Sequence, residues 1–418
     1  MLMQLAKASL LNRKGTVLMT LLSLVISIGL LLGIDHIRQE AKQSFTSTVS
    51  GTDLIVGARS SQLNLLLYTV FRIGNATNNI GWANYQQLKQ NPQVQWTIPL
   101  SLGDSHRGYR VIGTNTDYFK FYRFGEQKPL TLAQGTEFAS VYEAVLGSVV
   151  AAKLGYKVGD QITLSHGVGS ISFTQHKDKP FTVVGILAPT GTPVDQSVHI
   201  PLEGIEAIHL GWESGAPRPG KTVSAEQSLQ MDLQPKVITA FLVGLKSKIA
   251  TFVLQRQINE FKAEPLSAIL PGVALAELWQ MLSMVESMLL VITALVLLAS
   301  LVGIVTTLLA GLKERQREMA ILRAVGAPPL TIFLLIELEL LLLVLLSVAL
   351  ALAGLSAALW GFRELLASDY GLFISVWPWH SHTAALLGAV VGLSLLLGAI
   401  PAYLAYRRTL ASGLTVRL

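Results

Sequence analysis

The chain has 418 residues, 51% hydrophobic and only 14% charged, with a mean hydropathy of +0.50; that balance excludes a string of soluble domains and puts much of the chain in lipid. Sixteen Pro and 35 Gly without low-complexity tracts exclude a disordered or fibrous protein, and the absence of Cys excludes disulfides, thiolate metal sites and cysteine nucleophiles. A net charge of +6 points to nucleic acid only if the bases gather on one surface.

A membrane-spanning helix needs roughly 20 mostly apolar residues at about 1.5 Å rise each. The first such run is 16–34, preceded by a short segment, 1–15, with Lys7, Arg13 and Lys14. It is longer than a signal-peptide core, and DHIRQE follows it without a small-x-small cleavage site, so it is expected to be an uncleaved anchor. Within it, Gly29 and Gly33 form a G-x-x-x-G pair, the spacing that lets two membrane helices approach closely, and are expected at a membrane-dimer interface.

Residues 35–286 are long enough for a compact outer domain with its own core. DLIV from Asp53, YRVIG from Tyr109, DQITL from Asp160, FTVVGIL from Phe181 and VITAFLVGL from Val237 are predicted strands. WANYQQLKQ from Trp82 and TFVLQRQINEFK from Thr251 are predicted helices, the latter with Leu254, Ile258 and Phe261 on one face. Gly211 to Gln234 is rich in breakers and predicted to be a loop. Inside it, GAPRPGKT (Gly215 to Thr222) spells a phosphate loop. Pro217 and Pro219 have no N–H to offer a phosphate, and the preceding HLGWES is not a buried strand, so nucleotide binding is rejected. There is no H-E-x-x-H or G-x-S-x-G motif and no tight His cluster. His166 and His176 flank a predicted hairpin as exposed polar residues, and neither a metal site nor a catalytic residue is expected.

A second apolar run covers 287–309. The connection at 310–329 is LKERQREMAILRAVGAPP from Leu312, a predicted short helix. Its first half is charged (Lys313, Glu314, Arg315, Arg317, Glu318); Met319, Ile321, Leu322 and Val325 follow at helical spacing, Gly326 suits a left-handed cap, and Pro328 and Pro329 stop the helix. An apolar stripe fringed by Arg and Glu is suited to gripping by a partner. The third run, 330–360, is about 46 Å long as a helix, enough for Glu337 and Glu339 to sit at a membrane interface in a structural role. A short outer loop, 361–382, carries Trp377 and Trp379, with Trp360 at its edge as in an aromatic belt; the fourth run is 383–406, with Gly388 and Gly392 as another small-residue pair, and 407–418 closes the chain.

The bases settle the orientation. Lys7, Arg13, Lys14, Lys313, Arg315, Arg317, Arg323, Arg407, Arg408 and Arg417 lie in the three short non-outer stretches with only Glu314 and Glu318 beside them. This local surplus exceeds the whole chain's +6, so the remainder is slightly acidic. It is a positive-inside signature with cytoplasmic N- and C-termini, and not a nucleic-acid patch.

ERQREMAILRAVGA closely resembles the coupling-helix motif of the MacB, LolC/LolE and FtsX family of ABC transporter permeases. VLGSVVAAKLGYKVGDQITL from Val145 resembles that family's extracytoplasmic domain, LPGVALAELWQMLSMVESML from Leu270 its stalk, and IPAYLAYRRTLASGLTVRL its C-terminal end. The resemblance implies a bacterial inner-membrane protein: four transmembrane helices, with a mixed α/β periplasmic domain inserted between the first two. It also implies a non-enzymatic permease subunit coupled by mechanotransmission to a separate cytosolic ATPase dimer, which holds the ATP and magnesium. The partners implied are that ATPase, a second permease copy or paralogue, a periplasmic adaptor or substrate-binding protein, and membrane lipids. By position, Glu314, Arg315, Arg317, Glu318 and Arg323 would be polar contacts to the ATPase, Met319, Ile321, Leu322 and Val325 apolar ones, and Gly326 the helix end. Ser50 to Ile80 is less like the named members, which leaves two outcomes open: export or extraction of a lipoprotein, lipid, peptide or drug, or FtsX-like regulation of a periplasmic enzyme.

Overall fold

The computed structural model describes residues 2–167, 176, 178–210, 223–314, 316–370 and 374–411. The spurious phosphate-loop match at Gly215 to Thr222, Arg315 and the last seven residues lie outside them. The chain divides into two compact units, Met1–Glu40 with Ser283–Arg363 and Ile374–Leu418, and Ala41–Leu282 with Glu364–Phe373.

The first unit is helical. It contains α1 (Leu2–Asn12), most of α2 (Lys14–Ser47) and of α10 (Pro271–Glu314), α11 (Gln316–Ala324), most of α12 (Pro329–Tyr370), and α13 (Thr383–Ala411). Four helices among the described residues are long and apolar enough to cross a membrane: Lys14–Thr46, Pro271–Leu312, Pro329–Arg363 and Thr383–Arg407. Three of these helices outrun their apolar segments, because extending an existing helix through good formers such as Arg38, Glu40, Ala41 and Lys42 is favourable once the nucleus is formed. Each helix lays a stripe into one core: Leu24, Ile28 and Leu31 from α2, Leu297, Leu301 and Ile304 from α10, Leu340, Val344 and Ala351 from α12, and Val390 from α13. Lipid gives helices no hydrophobic reason to associate, so packing and polar contacts must hold them. Ser300 supplies one such contact, its hydroxyl 2.6 Å from that of Ser27 and 3.1 Å from that of Ser23. Gly398 provides close packing, since a Cβ there would lie 2.1 Å from Leu340 Cδ2.

The second unit is built on an 11-stranded mixed sheet. Its strands are β1 (Leu54–Ala58), β3 (Val94–His106), β4 (Tyr109–Thr114), β7 (Leu132–Gly135), β8 (Glu143–Leu146), β9 (Gln161–Ile162), β10 (Ser165–His166), β11 (Phe181–Leu187), β12 (Ser197–Pro201), β14 (Ala240–Leu245) and β15 (Leu266–Ile269). They run in the order β15-β1-β14-β3-β4-β12-β8-β11-β7, with β10 on β3 and β9 on β11; among the described residues only β4–β12 and β8–β11 pair in parallel. Two small pairs, β2 (Ile80–Gly81) with β13 (Val237–Ile238) and β5 (Arg123–Phe124) with β6 (Lys128–Pro129), complete it. The helices are α3 (Gln62–Leu66), running into a π-helical turn, α4 (Trp82–Lys89), α5 (Asp117–Phe121), α6 (Ser148–Leu154), α7 (Leu202–His209), α8 (Ala225–Ser228) and α9 (Thr251–Asn259).

Alternation along the strands explains why they are apolar throughout. Ile55, Ile98, Leu100, Ile112, Val145, Ala240, Leu242 and Ile269 enter one core. Their neighbours enter two others, Leu54, Val56, Phe241, Val243 and Ala268 one, and Val111, Ala144, Leu146, Val183 and Val198 the second. Successive side chains point to opposite faces, so a sheet covered on both sides needs runs such as AFLVGL. As expected, Leu254 and Ile258 of α9 are buried. The supposed loop before Gln234 contains α8, which Ser224 and Gln227 start through reciprocal side-chain bonds to backbone N–H groups, a capping box not recognised in the sequence.

His199 of β12 is fully buried against the Tyr118 and Phe119 rings, and burial, then the charge of Arg72, pushes its pKa down to about 3. The unfolded chain takes up this proton near pH 6.5, whereas the folded chain resists it. Stability from this group is therefore complete above about pH 6.5 and falls as pH drops, by about 1.4 kcal/mol per unit. Thermal melts from pH 7.5 to 4.5 should show this decline, and a His199→Asn chain should show a shallower one; parallel pH profiles would refute the assignment.

Candidate functional site

The sequence between α10 and α12 dictates a sharp, capped helix. In α11 the last ordinary helical bond runs from Val325 N–H to the Ile321 carbonyl, 3.1 Å. Gly326 then turns left-handed with φ 95°; its N–H donates to the Arg323 carbonyl and the Ala327 N–H donates to that of Leu322, both 3.0 Å. These two bonds make a Schellman stop, which satisfies carbonyls that helix ends leave bare. Pro329 opens α12, where a missing N–H costs nothing.

The four apolar residues of α11 and its cap, expected to form one docking stripe, are divided by the structure. Met319 is half-buried and packs into a cluster of Leu312, Ile332, Ile336, Ala402 and Ala405. Leu322 and Arg323 are also half-buried. Ile321 and Val325, one helical turn apart, are 59% and 84% exposed, and Leu330 beyond them is exposed too. A nine-residue helix cannot both pack on its own chain and offer every apolar side chain to a partner, so the outward pair is the smaller set Ile321 and Val325. Glu314, Arg317 and Glu318 lie on α10 and α11.

Other expected residues fall as follows. Gly33 is buried and a Cβ there would meet Leu355 Cδ1 of the same chain at 3.5 Å, whereas Gly29, Gly388 and Gly392 face open space. Glu339 is buried within the helical unit and lines a cavity of about 330 Å³ with Arg13, Thr16, Thr20 and Thr307. Arg13 does more than orient the chain: its Nη2 donates to the Gly311 carbonyl near the end of α10, 3.1 Å. Trp360, Trp377 and Trp379 are exposed.

Sequence reasoning missed the polar knot at the other end of this unit. Glu40 Oε2 accepts from Ser375 N–H at 2.9 Å, His36 Nε2 lies 2.7 Å from the Ser375 carbonyl, and His382 Nε2 lies 2.8 Å from Asp35 Oδ2. These bonds tie the segment before α13 to α2. The signal available was two His residues in WPWHSH and, in DHIRQE, His36 and Glu40 four apart on one helix face with Asp35 beside them.

A family model described as the MacB-like periplasmic core domain matches residues 17–260, and one described as the FtsX-like permease C-terminal matches 290–410. The chain belongs to the MacB/FtsX family of ABC transporter permeases. The periplasmic region of MacB from Actinobacillus actinomycetemcomitans is 12% identical, over 54% of this chain and 92% of that one, with a TM-score of 0.32. The extracellular domain of the noncanonic ABC-type transporter YknZ from Gram-positive bacteria is 12% identical, over 52% and 98%, with a TM-score of 0.30. At scores this low the assignment rests on the family models. No curated protein sequence matches the chain. Permeases of this type are not themselves enzymes, and they operate with an ABC ATPase.

Proposed function

We propose that the chain is the membrane subunit of a mechanotransmission ABC transporter. Its four apolar helices cross the inner membrane with both termini and α11 in the cytoplasm and the sheet-based unit in the periplasm. A separate ATPase dimer, which carries the ATP and magnesium, grips α11. Nucleotide-driven closure then moves the periplasmic unit to export or extract a lipoprotein, lipid, peptide or drug. The observation that carries this is the exposed Ile321 and Val325 pair on a helix stopped at Gly326, flanked in sequence by Arg315, Arg317 and Arg323. Apolar side chains left in water beside several charges are what a partner groove recognises. Two permeases complete the unit, and a second copy meets Gly29 more readily than Gly33, which Leu355 already covers.

The partner claim is tested by reversing Glu318→Lys and Arg323→Glu together and purifying the permease with its ATPase. Loss of co-purification is expected. If the ATPase stays at the wild-type ratio, α11 is not its docking element.

A further inference from the structure

The outer unit holds a group that the sequence did not reveal. His166 and Asp104 are direct cross-strand partners on β10 and β3, and His209 is the last residue of α7. His176, expected at an exposed hairpin, is instead fully buried. The three rings converge: His166 Nε2 lies 3.1 Å from His176 Nε2, His166 Nδ1 lies 3.3 Å from His209 Nε2, and one nitrogen from each ring lies within 4.8 Å of the others. Residues dispersed over more than 100 positions are brought together by the sheet register and one helix end.

We propose that His166, His176 and His209 form a binding site for a divalent transition-metal ion of the zinc type, with Asp104 as the carboxylate behind it. Three observations support it. Tetrahedral zinc holds nitrogens at about 2.0–2.1 Å, so they lie roughly 3.3 Å from one another; His166 Nε2 and His176 Nε2 are already 3.1 Å apart, and the third ring offers a nitrogen within 4.8 Å of the others. His209 Nδ1 donates to the Ile205 carbonyl at 2.7 Å, which leaves the Nε2 lone pair directed at the cluster. Asp104 Oδ1, 3.0 Å from His166 Nδ1, accepts that proton and leaves Nε2 for the ion, the carboxylate–histidine–metal arrangement that fixes a ligand's tautomer. The frame is firm as well: Lys179, fully buried, donates through Nζ to the carbonyls of Ala207 and Leu210 and holds the end of α7 beside the site. Imidazole donors suit zinc, copper or nickel; calcium and magnesium require oxygen-rich sites.

The test uses the full chain in detergent with any polyhistidine tag removed. Titration with cobalt(II) should give the intense visible absorption of a tetrahedral site at a single equivalent, and zinc should displace it and raise the melting temperature. His166→Asn and His209→Ala should each lose the spectrum and the thermal gain while keeping the wild-type far-ultraviolet dichroism. Asp104→Asn should weaken zinc roughly 10–100-fold. His380→Ala, which removes a ligand atom from the only other three-residue group among the described residues, His36, Glu40 and His380, should change nothing. The proposal is overturned if the wild-type chain shows no such spectrum, if both the His166 and His209 variants retain it, or if it disappears only in His380→Ala.

Discussion

Replacing Ile321 and Val325 with aspartate should detach the ATPase and leave the permease folded. Buried apolar anchors at an interface are worth about 2 kcal/mol or more each. Losing both therefore costs roughly 4 kcal/mol, about a 1,000-fold fall in affinity. The permease itself should hardly notice, since these side chains are 59% and 84% exposed and surface changes usually stay within about 0.5 kcal/mol. Met319→Ala is the contrasting change. Met319 packs on Ile332, Ile336 and Ala402, so its truncation should lower the melting temperature of the permease more than it weakens the ATPase. Binding measured by light scattering or surface resonance, with melts alongside, separates the two faces. Should Ile321→Asp with Val325→Asp bind like wild type while Met319→Ala does not, the outward pair is not the anchor.

The second large effect is expected at the two ends of α6. Gly147 is its N-cap, with an ordinary φ of −67°, yet a Cβ there would lie 2.4 Å from the backbone oxygens of both Val194 and Asp195. Backbone cannot rotate aside as a side chain can. The turn is also pinned, because the Asp195 carboxylate accepts from the N–H groups of Thr190 and Gly191 at 2.8 to 3.0 Å. Gly155 is the C-cap, with φ 72° and open space where a Cβ would go. Gly147→Ala should cost about 3 kcal/mol by overpacking, whereas Gly155→Ala should cost only about 1 kcal/mol for a left-handed alanine. For a unit of this size that is roughly 6–12 °C against 2–4 °C in melting temperature. Equal shifts would show that the turn relaxes and that the clash is not what makes Gly147 glycine.

The membrane helices were legible because runs of about 20 apolar residues have few alternative structures, and β1, β4, β11 and β14 because β-branched clusters bounded by Gly, Asp or Pro read as strands. The longest strand, β3, was not. It carries Pro99 opposite Phe241 in its interior, a residue that ordinarily demotes a strand, and Gly103 and a bulge between Leu102 and Ser105 interrupt its alternation. The structure accommodates the proline, and the Thr114 hydroxyl donates to its carbonyl at 2.8 Å. On α11, the sequence showed the cap at Gly326 but not which apolar residues face inward. That partition depends on Ala402 and Ala405, some 80 residues away. The histidine cluster was invisible for the same reason: it exists only once β10 lies on β3 and α7 ends beside them.

The stop at Gly326 has one more consequence, a matter of counting. Val325 is one residue and Ile321 five residues back from that glycine, and each helical residue turns the side chain by about 100°. The direction in which the pair points is thus set by the number of residues before the stop. A single residue inserted or removed between Leu322 and Gly326 would swing Ile321 round relative to the cap, whatever its identity. The hinge should therefore tolerate changes of letter far better than changes of length.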